Sequence, residues 1–284
     1  MPAADIAVLV AAVAVGFGSG VLSGMLGIGG AVVSTPAVRV LGATPIEAVG
    51  TTVPAILPGA LVGVWRYHKA GLVDWRVGLW CGASGAVAAV AGAVVADGVA
   101  QPGWLMVATA VLMGLSGWSV ARSGRSVPAV ATSAVGTGVG PAGDSDVDAD
   151  VGADVDVDAD ASWVWLVVLG VVAGFVAGIL GVGGGIILLP AFTSLLGMPV
   201  RKSVPASLVA VAIFSVPALA THAVNGNIDW LLAVPLMVGV VPGARLGSSL
   251  TIGASERTVR MVFGVVIGLL AVVFGVTEVL GLRG

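Results

Sequence analysis

The chain has 284 residues, of which 58% are hydrophobic and only 10% charged, with a mean hydropathy of +1.11. A soluble domain is about 25% charged, so these values exclude a soluble globular protein and place most of the chain in a bilayer. The net charge of −3 is local in origin: eight of the fifteen acidic residues are the aspartates at 144, 146, 148, 150, 154, 156, 158 and 160, and without them twelve basic residues face seven acidic ones. No Lys or Arg precedes Arg39, which argues against a secretory signal peptide with its positive leading region. Residues 5–24 form a first span, followed by a glycine break and a short apolar segment over 30–43, below the roughly 20 residues of a comfortable crossing. Spans over 46–66, 76–96 and 103–122 complete a first half.

Residues 123–161 form a linker whose Ser/Gly/Pro/Ala start and alternating aspartates bury too little apolar surface to fold. It lacks the glycine and closing glutamate of a calcium loop. The second half has segments near 163–181, 185–197, 203–222, 230–250 and 257–281. Tryptophans 75, 104, 163, 165 and 230 fall at span ends, as in an interfacial aromatic belt. The organisation is thus a first transmembrane repeat over 1–122, an acidic linker over 123–161 and a second repeat over 162–284.

The halves align with an offset of 154. Gly24-Met25-Leu26-Gly27-Ile28-Gly29-Gly30, followed by Pro36, matches Gly178-Ile179-Leu180-Gly181-Val182-Gly183-Gly184, followed by Pro190. Pro45 matches Pro199 and His68 matches His222; one residue later in register, Gly71, Asp74 and Trp75 match Gly226, Asp229 and Trp230. Charges alternate between the copies. The loop bearing Arg66, Lys69 and Arg76 has a partner at 222–230 with no Lys or Arg, whereas the loop at 97–103 has none and its partner at 251–260 carries Arg257 and Arg260. By the positive-inside rule, corresponding loops lie on opposite membrane faces. The expected fold is an all-α polytopic membrane protein of two inverted repeats, each of about five hydrophobic segments and each with a glycine-broken helix, seated in the cell membrane.

Broken backbone at membrane depth is tolerated only where protein or a watery cavity satisfies it, and paired breaks in two halves point to a transporter's binding site. A helix restarting after each break presents free N–H groups and partial positive charge, a compact anion site. The candidate substrate-binding residues are Gly27, Gly29 and Gly30 of the first break and Gly181, Gly183, Gly184 and Gly185 of the second. Thr51, Thr52 and Ser207 join them as hydroxyl donors, and Arg245 as a cation inside the 230–250 span, where an ionised side chain is costly and commonly functional; snorkelling of its long side chain to the inner surface is the rival reading. Ser34 and Thr35 are further hydroxyls of the first half. His68 and His222 lack the Cys, Glu or third His of a metal centre, Cys81 reads as a small buried hydrophobe, and no catalytic constellation is visible. No carboxylate lies mid-span and no G-x-x-x-x-G-K-[ST] motif is present, so no intrinsic ATPase is expected.

The G-x-L-G-x-G-G pattern with its trailing proline, the Thr/Ser-bearing helices after Pro45 and Pro199, the hairpins closed by Asp-Trp and the run Gly243-Ala244-Arg245-Leu246-Gly247 together resemble the sulfite exporter TauE/SafE family of two-repeat permeases. The resemblance covers both halves and excludes the linker. It implies secondary transport of sulfur-containing anions such as sulfite, thiosulfate or organosulfonates, with a small anion and membrane lipid as partners, no cofactor and no nucleic acid, and it is compatible with a homo-oligomer; the alternative reading is a carrier for another small anion or a metal cation, ahead of a membrane-embedded enzyme. The chain departs from a symmetric pattern in two places: Ala31 stands where the second copy has Gly185, and Ala89 is aligned with Arg245.

Overall fold

The computed structural model describes residues 3–98, 111, 114–115, 159–181 and 183–281, and they are all-helical. Nine helices are defined among them: α1 Ala3–Leu26, α2 Ala31–Val40, α3 Pro45–Lys69, α4 Trp75–Gly98, α5 Ala159–Leu180, α6 Gly185–Ser194, α7 Val200–Val224, α8 Trp230–Gly253 and α9 Glu256–Gly281. Six are long and apolar enough to cross a membrane: α1, α3, α4, α5, α7 and α8. The chain is a multi-pass membrane protein. Most of the expected span at 103–122 and of the linker lies outside the described residues, and α5 takes in 159–161, the last three residues of that expected linker.

Local sequence explains the helix ends. Thr44 and Glu47 form a capping box ahead of Pro45: the Thr44 N–H donates to Glu47 Oε2 at 2.9 Å, and the Glu47 N–H donates to Thr44 Oγ1 at 3.4 Å, satisfying two donors that a helix start leaves free. The repeated Asp-Trp pairs have the same office. Asp74 Oδ1 accepts from the Val77 N–H at 3.1 Å, and Asp229 Oδ1 from the Leu231 N–H at 2.9 Å. Trp75 and Trp230 then open α4 and α8, both exposed at the ends of the apolar layer. The matched Gly71 and Gly226 have φ of 69° and 72° in the turns before them.

Each short helix doubles back on the helix before it. The Ser19 hydroxyl donates to the Gly30 carbonyl oxygen at 2.6 Å, so the four residues after Leu26 regain the seven-residue height from Ser19 to Leu26, about 10 Å at the helical rise. Val38 then joins a cluster with Ala12, Ala48 and Leu236, flanked by Val8 and Leu41. The chain thus returns in α2 to the end from which α1 started. Ten helical residues add about 15 Å, so break and short helix together traverse close to the roughly 30 Å of a hydrocarbon core. A segment too short to reach that far as a helix does so as a helix plus an extended break.

Close packing through small residues joins the long helices. On α1, a Cβ at Gly16, Gly20 or Gly24 would overlap the carbonyl oxygens of Leu236, Val240 and Ala244 on α8; reciprocally, Cβ atoms at Gly239, Gly243 and Gly247 would overlap those of Val13, Phe17 and Val21. The rising register shows that α1 and α8 run parallel. The other half repeats the device: Gly170, Gly174 and Gly178 of α5 face the carbonyls of Cys81, Gly85 and Ala89 of α4. Lipid supplies no hydrophobic drive for helices to associate, so backbones that approach this closely gain dispersion contacts instead. The α3 and α7 helices, equivalent in the two halves, cross between these pairs and run antiparallel, with Gly63 against Leu208 and Val53 near Ala218.

The same packing corrects one alignment. Gly24 lies over Ala244 as Gly178 lies over Ala89, so Ala89 is the counterpart of Ala244, and Val90 stands opposite Arg245.

Candidate functional site at the paired glycine breaks

The six glycines of the breaks have left-handed backbone in matched pairs: Gly27 and Gly181 at φ 71° and 62°, Gly29 and Gly183 at 83° and 82°, and Gly30 and Gly184 at 77° and 66°. L side chains are disfavoured there by a Cβ clash, which is why the motif is glycine at these three places. Gly30 and Gly184 are the N-caps of α2 and α6, and neither helix start has a side-chain cap. Some first-turn N–H groups are bonded within the breaks, Val33 to the Gly30 carbonyl at 3.2 Å, Gly185 to that of Gly183 at 2.8 Å and Ile187 to that of Gly184 at 3.1 Å, which leaves those of Ala31, Val32 and Ile186 for another acceptor.

The two breaks touch. A Cβ on Gly29 would sit 3.5 Å from Gly183 Cα, and one on Gly183 would sit 3.4 Å from the Ile28 carbonyl oxygen. Gly185 faces the Gly27 carbonyl oxygen so closely that a Cβ would overlap it, with Ile28 Cα at 2.9 Å. That contact explains the third glycine of the second copy. Ala31, its counterpart, is buried with its methyl group accommodated.

Of the candidate hydroxyls, Ser207 reaches this junction. Its Oγ lies 3.0 Å from the Gly27 carbonyl oxygen and 2.8 Å from that of Val204 in its own helix. Thr52 donates to the Val49 carbonyl at 2.9 Å and lies 3.2 Å from the Thr35 hydroxyl. Ser34 is bonded to Gly30 O at 3.4 Å. Thr51 is placed elsewhere: its Oγ1 accepts the Asp229 N–H at 2.9 Å, in the loop against which Gly50 packs. Arg245 is also apart from the breaks, exposed on α8 with its guanidinium 5.8 Å from the Trp65 ring centre.

Three serines near the breaks were not singled out from sequence. Ser19 holds Gly30 in place, as described. Ser23, one turn on, is buried against Gly30 and Gly59, and its Oγ has no hydrogen-bond partner. Ser215 lines a small cavity with Gly181, Gly183, Val53, Ile56, Ala177, Phe214 and Ala218, and donates to the Val211 carbonyl at 2.6 Å. The signal available in sequence for Ser19 and Ser23 was their i, i+4 spacing just ahead of the break, one face of one helix. Around the junction the side chains are otherwise apolar. Ile28, Leu26, Val211 and Ile56 are buried there.

This arrangement offers backbone dipoles and hydroxyls in an apolar setting, with no carboxylate among the residues just named. Among the described residues, no group of three or more His, Cys, Asp or Glu is placed to hold a metal ion.

Residues 12–274 match the family model described as sulfite exporter TauE/SafE. A probable membrane transporter protein of Bacillus subtilis (strain 168), YunE, is 24% identical over 266 residues, covering 90% of this chain and 93% of its own. A probable membrane transporter protein of Xylella fastidiosa (strain 9a5c) is 25% identical over 260 residues, covering 86% of both chains. No solved structure matches. With nearly the whole chain matched, both breaks included, this membrane transporter belongs to the sulfite exporter TauE/SafE family.

Proposed function

We propose that the protein is a secondary permease for small sulfur-containing anions such as sulfite, thiosulfate or organosulfonates, bound where the two glycine breaks meet. The observation that carries this reading is the contact of Gly29 with Gly183, which brings two uncapped helix starts, α2 and α6, to one place. Free N–H groups and the positive ends of two helix dipoles stabilise an anion without a buried cation. The absence of side chains at the breaks lets sulfur-bound oxygens approach the backbone. Ser207 and Ser23 add hydroxyls, and the proposed substrate-contact set is Gly27, Gly29, Gly30, Gly181, Gly183, Gly184, Gly185, Ser207 and Ser23.

The antiparallel course of α3 and α7 and the exchange of packing partners between halves (α1 with α8, α5 with α4) support an inverted repeat. Rocking of one half against the other would then expose the junction to each face in turn. An anion moving with the membrane potential leaves a cell that is negative inside, so export needs no further coupling, whereas import needs a cotransported cation.

The test is thermal stability of the purified protein with sulfite, thiosulfate, sulfoacetate, sulfate, chloride and divalent cations, followed by flux into liposomes. A sulfur anion should raise the melting temperature in wild type and do so less in Ser207→Ala. Stabilisation by divalent cations with none by anions would overturn the reading.

A further inference from the structure

We infer that Trp65, Lys69 and Arg245 form a binding site for the phosphate of an anionic phospholipid on the outer surface of the helical bundle. Lys69 Nζ lies 3.9 Å above the Trp65 ring centre, and the Arg245 guanidinium carbon lies 5.8 Å from it. Two cations from different helices thus approach one indole, an attractive contact for each. All three side chains are exposed, with Trp65 at 44%. Neither cation has a carboxylate partner among the described residues.

The surroundings fit a lipid rather than a soluble anion. Leu61, one turn below Trp65 on α3, is 53% exposed, and Leu246 and Leu250 of α8 are 46% and 48% exposed. Leu61 lies on the side of Trp65 away from the basic end, where acyl chains would run, and Leu246 adjoins Arg245 in α8. The cluster sits at the end of the bundle where Arg66 donates to Ser249 Oγ at 2.6 Å and Arg201 bonds the Ile252 carbonyl, the basic end. Ser249 in turn donates to the Arg245 carbonyl at 2.7 Å, which fixes the backbone that carries the guanidinium. A tryptophan at headgroup level with flanking cations is the usual chemistry of the interface.

The other half shows that packing does not require these side chains. The positions equivalent to Trp65, Lys69 and Arg245 are Leu219, Ala223 and Val90, all apolar. The site therefore exists at one end of the pseudo-symmetric bundle only, facing one leaflet.

The test uses the full chain in a zwitterionic detergent, titrated with phosphatidylglycerol, with phosphatidylcholine, or with inorganic phosphate, and follows the melting temperature. Phosphatidylglycerol should stabilise the protein where the other two do not. In Lys69→Gln/Arg245→Gln the half-saturating lipid concentration should rise about thirtyfold, from about 1 kcal/mol per cation. Arg76→Gln, which removes an exposed cation away from the indole, should leave it unchanged. As a second readout, phosphatidylglycerol with brominated acyl chains should quench tryptophan emission in wild type, and the quenched component should shrink in Trp65→Phe. Equal response to both lipids, an equal loss in Arg76→Gln, the same stabilisation by inorganic phosphate, or quenching unaltered by Trp65→Phe would each overturn the site.

Discussion

The Ser207 hydroxyl lies 3.0 Å from the Gly27 carbonyl oxygen, 180 residues away in the chain. It joins α7 of the second half to the break of the first, and its other acceptor, the Val204 carbonyl at 2.8 Å, belongs to its own helix. Replacing Ser207 with alanine leaves the buried Gly27 oxygen without this donor. A net loss of about 1 kcal/mol is expected, read as a lower melting temperature. Weakened stabilisation by sulfur anions would accompany it if the hydroxyl also serves the substrate.

Gly185 and Ala31 occupy equivalent places, yet substitution should abolish flux at one and spare it at the other. Gly185→Ala drives a methyl group into the Gly27 carbonyl oxygen with Ile28 Cα at 2.9 Å behind it. Both neighbours are backbone, so the junction must separate; about 1–3 kcal/mol of overpacking cost is expected, with loss of liposome flux. Ala31→Gly removes a buried methyl group and should cost about 1 kcal/mol through helix propensity, with flux retained. Equal flux in the two variants would count against a junction whose close contact matters.

The glycine-to-carbonyl packing of α1 makes a prediction of opposite sign within one turn. Gly20→Ala places a Cβ into the Val240 carbonyl, whereas a Cβ on Gly18 meets nothing within 4 Å. Gly20→Ala should lower thermal stability, by separating α1 from α8. Gly18→Ala should raise it by about 0.5–1 kcal/mol, since alanine favours the helix. Melting curves of the two purified variants test both signs together.

Cys81 is the single cysteine. It is fully buried, with Sγ 3.1 Å from the Leu166 carbonyl oxygen at the contact of α4 with α5. A maleimide should react with it only as this contact opens. Labelling at room temperature should be slow in the folded protein and should rise along the thermal unfolding transition. Gly174→Leu, which forces a side chain into the Gly85 carbonyl, should make labelling fast. Rapid reaction of the native protein would show that the α4–α5 contact is loose.

The residues that local chemistry governs were legible from the sequence. Apolar runs with almost no charge identify the membrane class, since ionised groups are too costly in hydrocarbon. The doubled glycine motif marks both breaks because left-handed backbone admits little else, and each Asp-Trp pair marks a helix start because the aspartate satisfies N–H groups within its own turn. These statements need only residues close together in the chain.

What each element meets was decided by tertiary structure. The sequence treated Thr51, Thr52 and Ser207 alike; packing brings Ser207 to Gly27, ties Thr52 to Val49 and Thr35, and gives Thr51 to the Asp229 N–H. Arg245 read as a cation within a span, either functional there or snorkelling to the inner surface; residue spacing does not say which side of α8 faces neighbours, and it lies outward over Trp65. The third glycine at 185 had no visible reason until the Gly27 carbonyl was found against it. In a chain this uniformly apolar, hydrophobic pattern cannot choose the inner face of a helix. Steric fit between backbones more than a hundred residues apart makes that choice, and only the folded structure contains it.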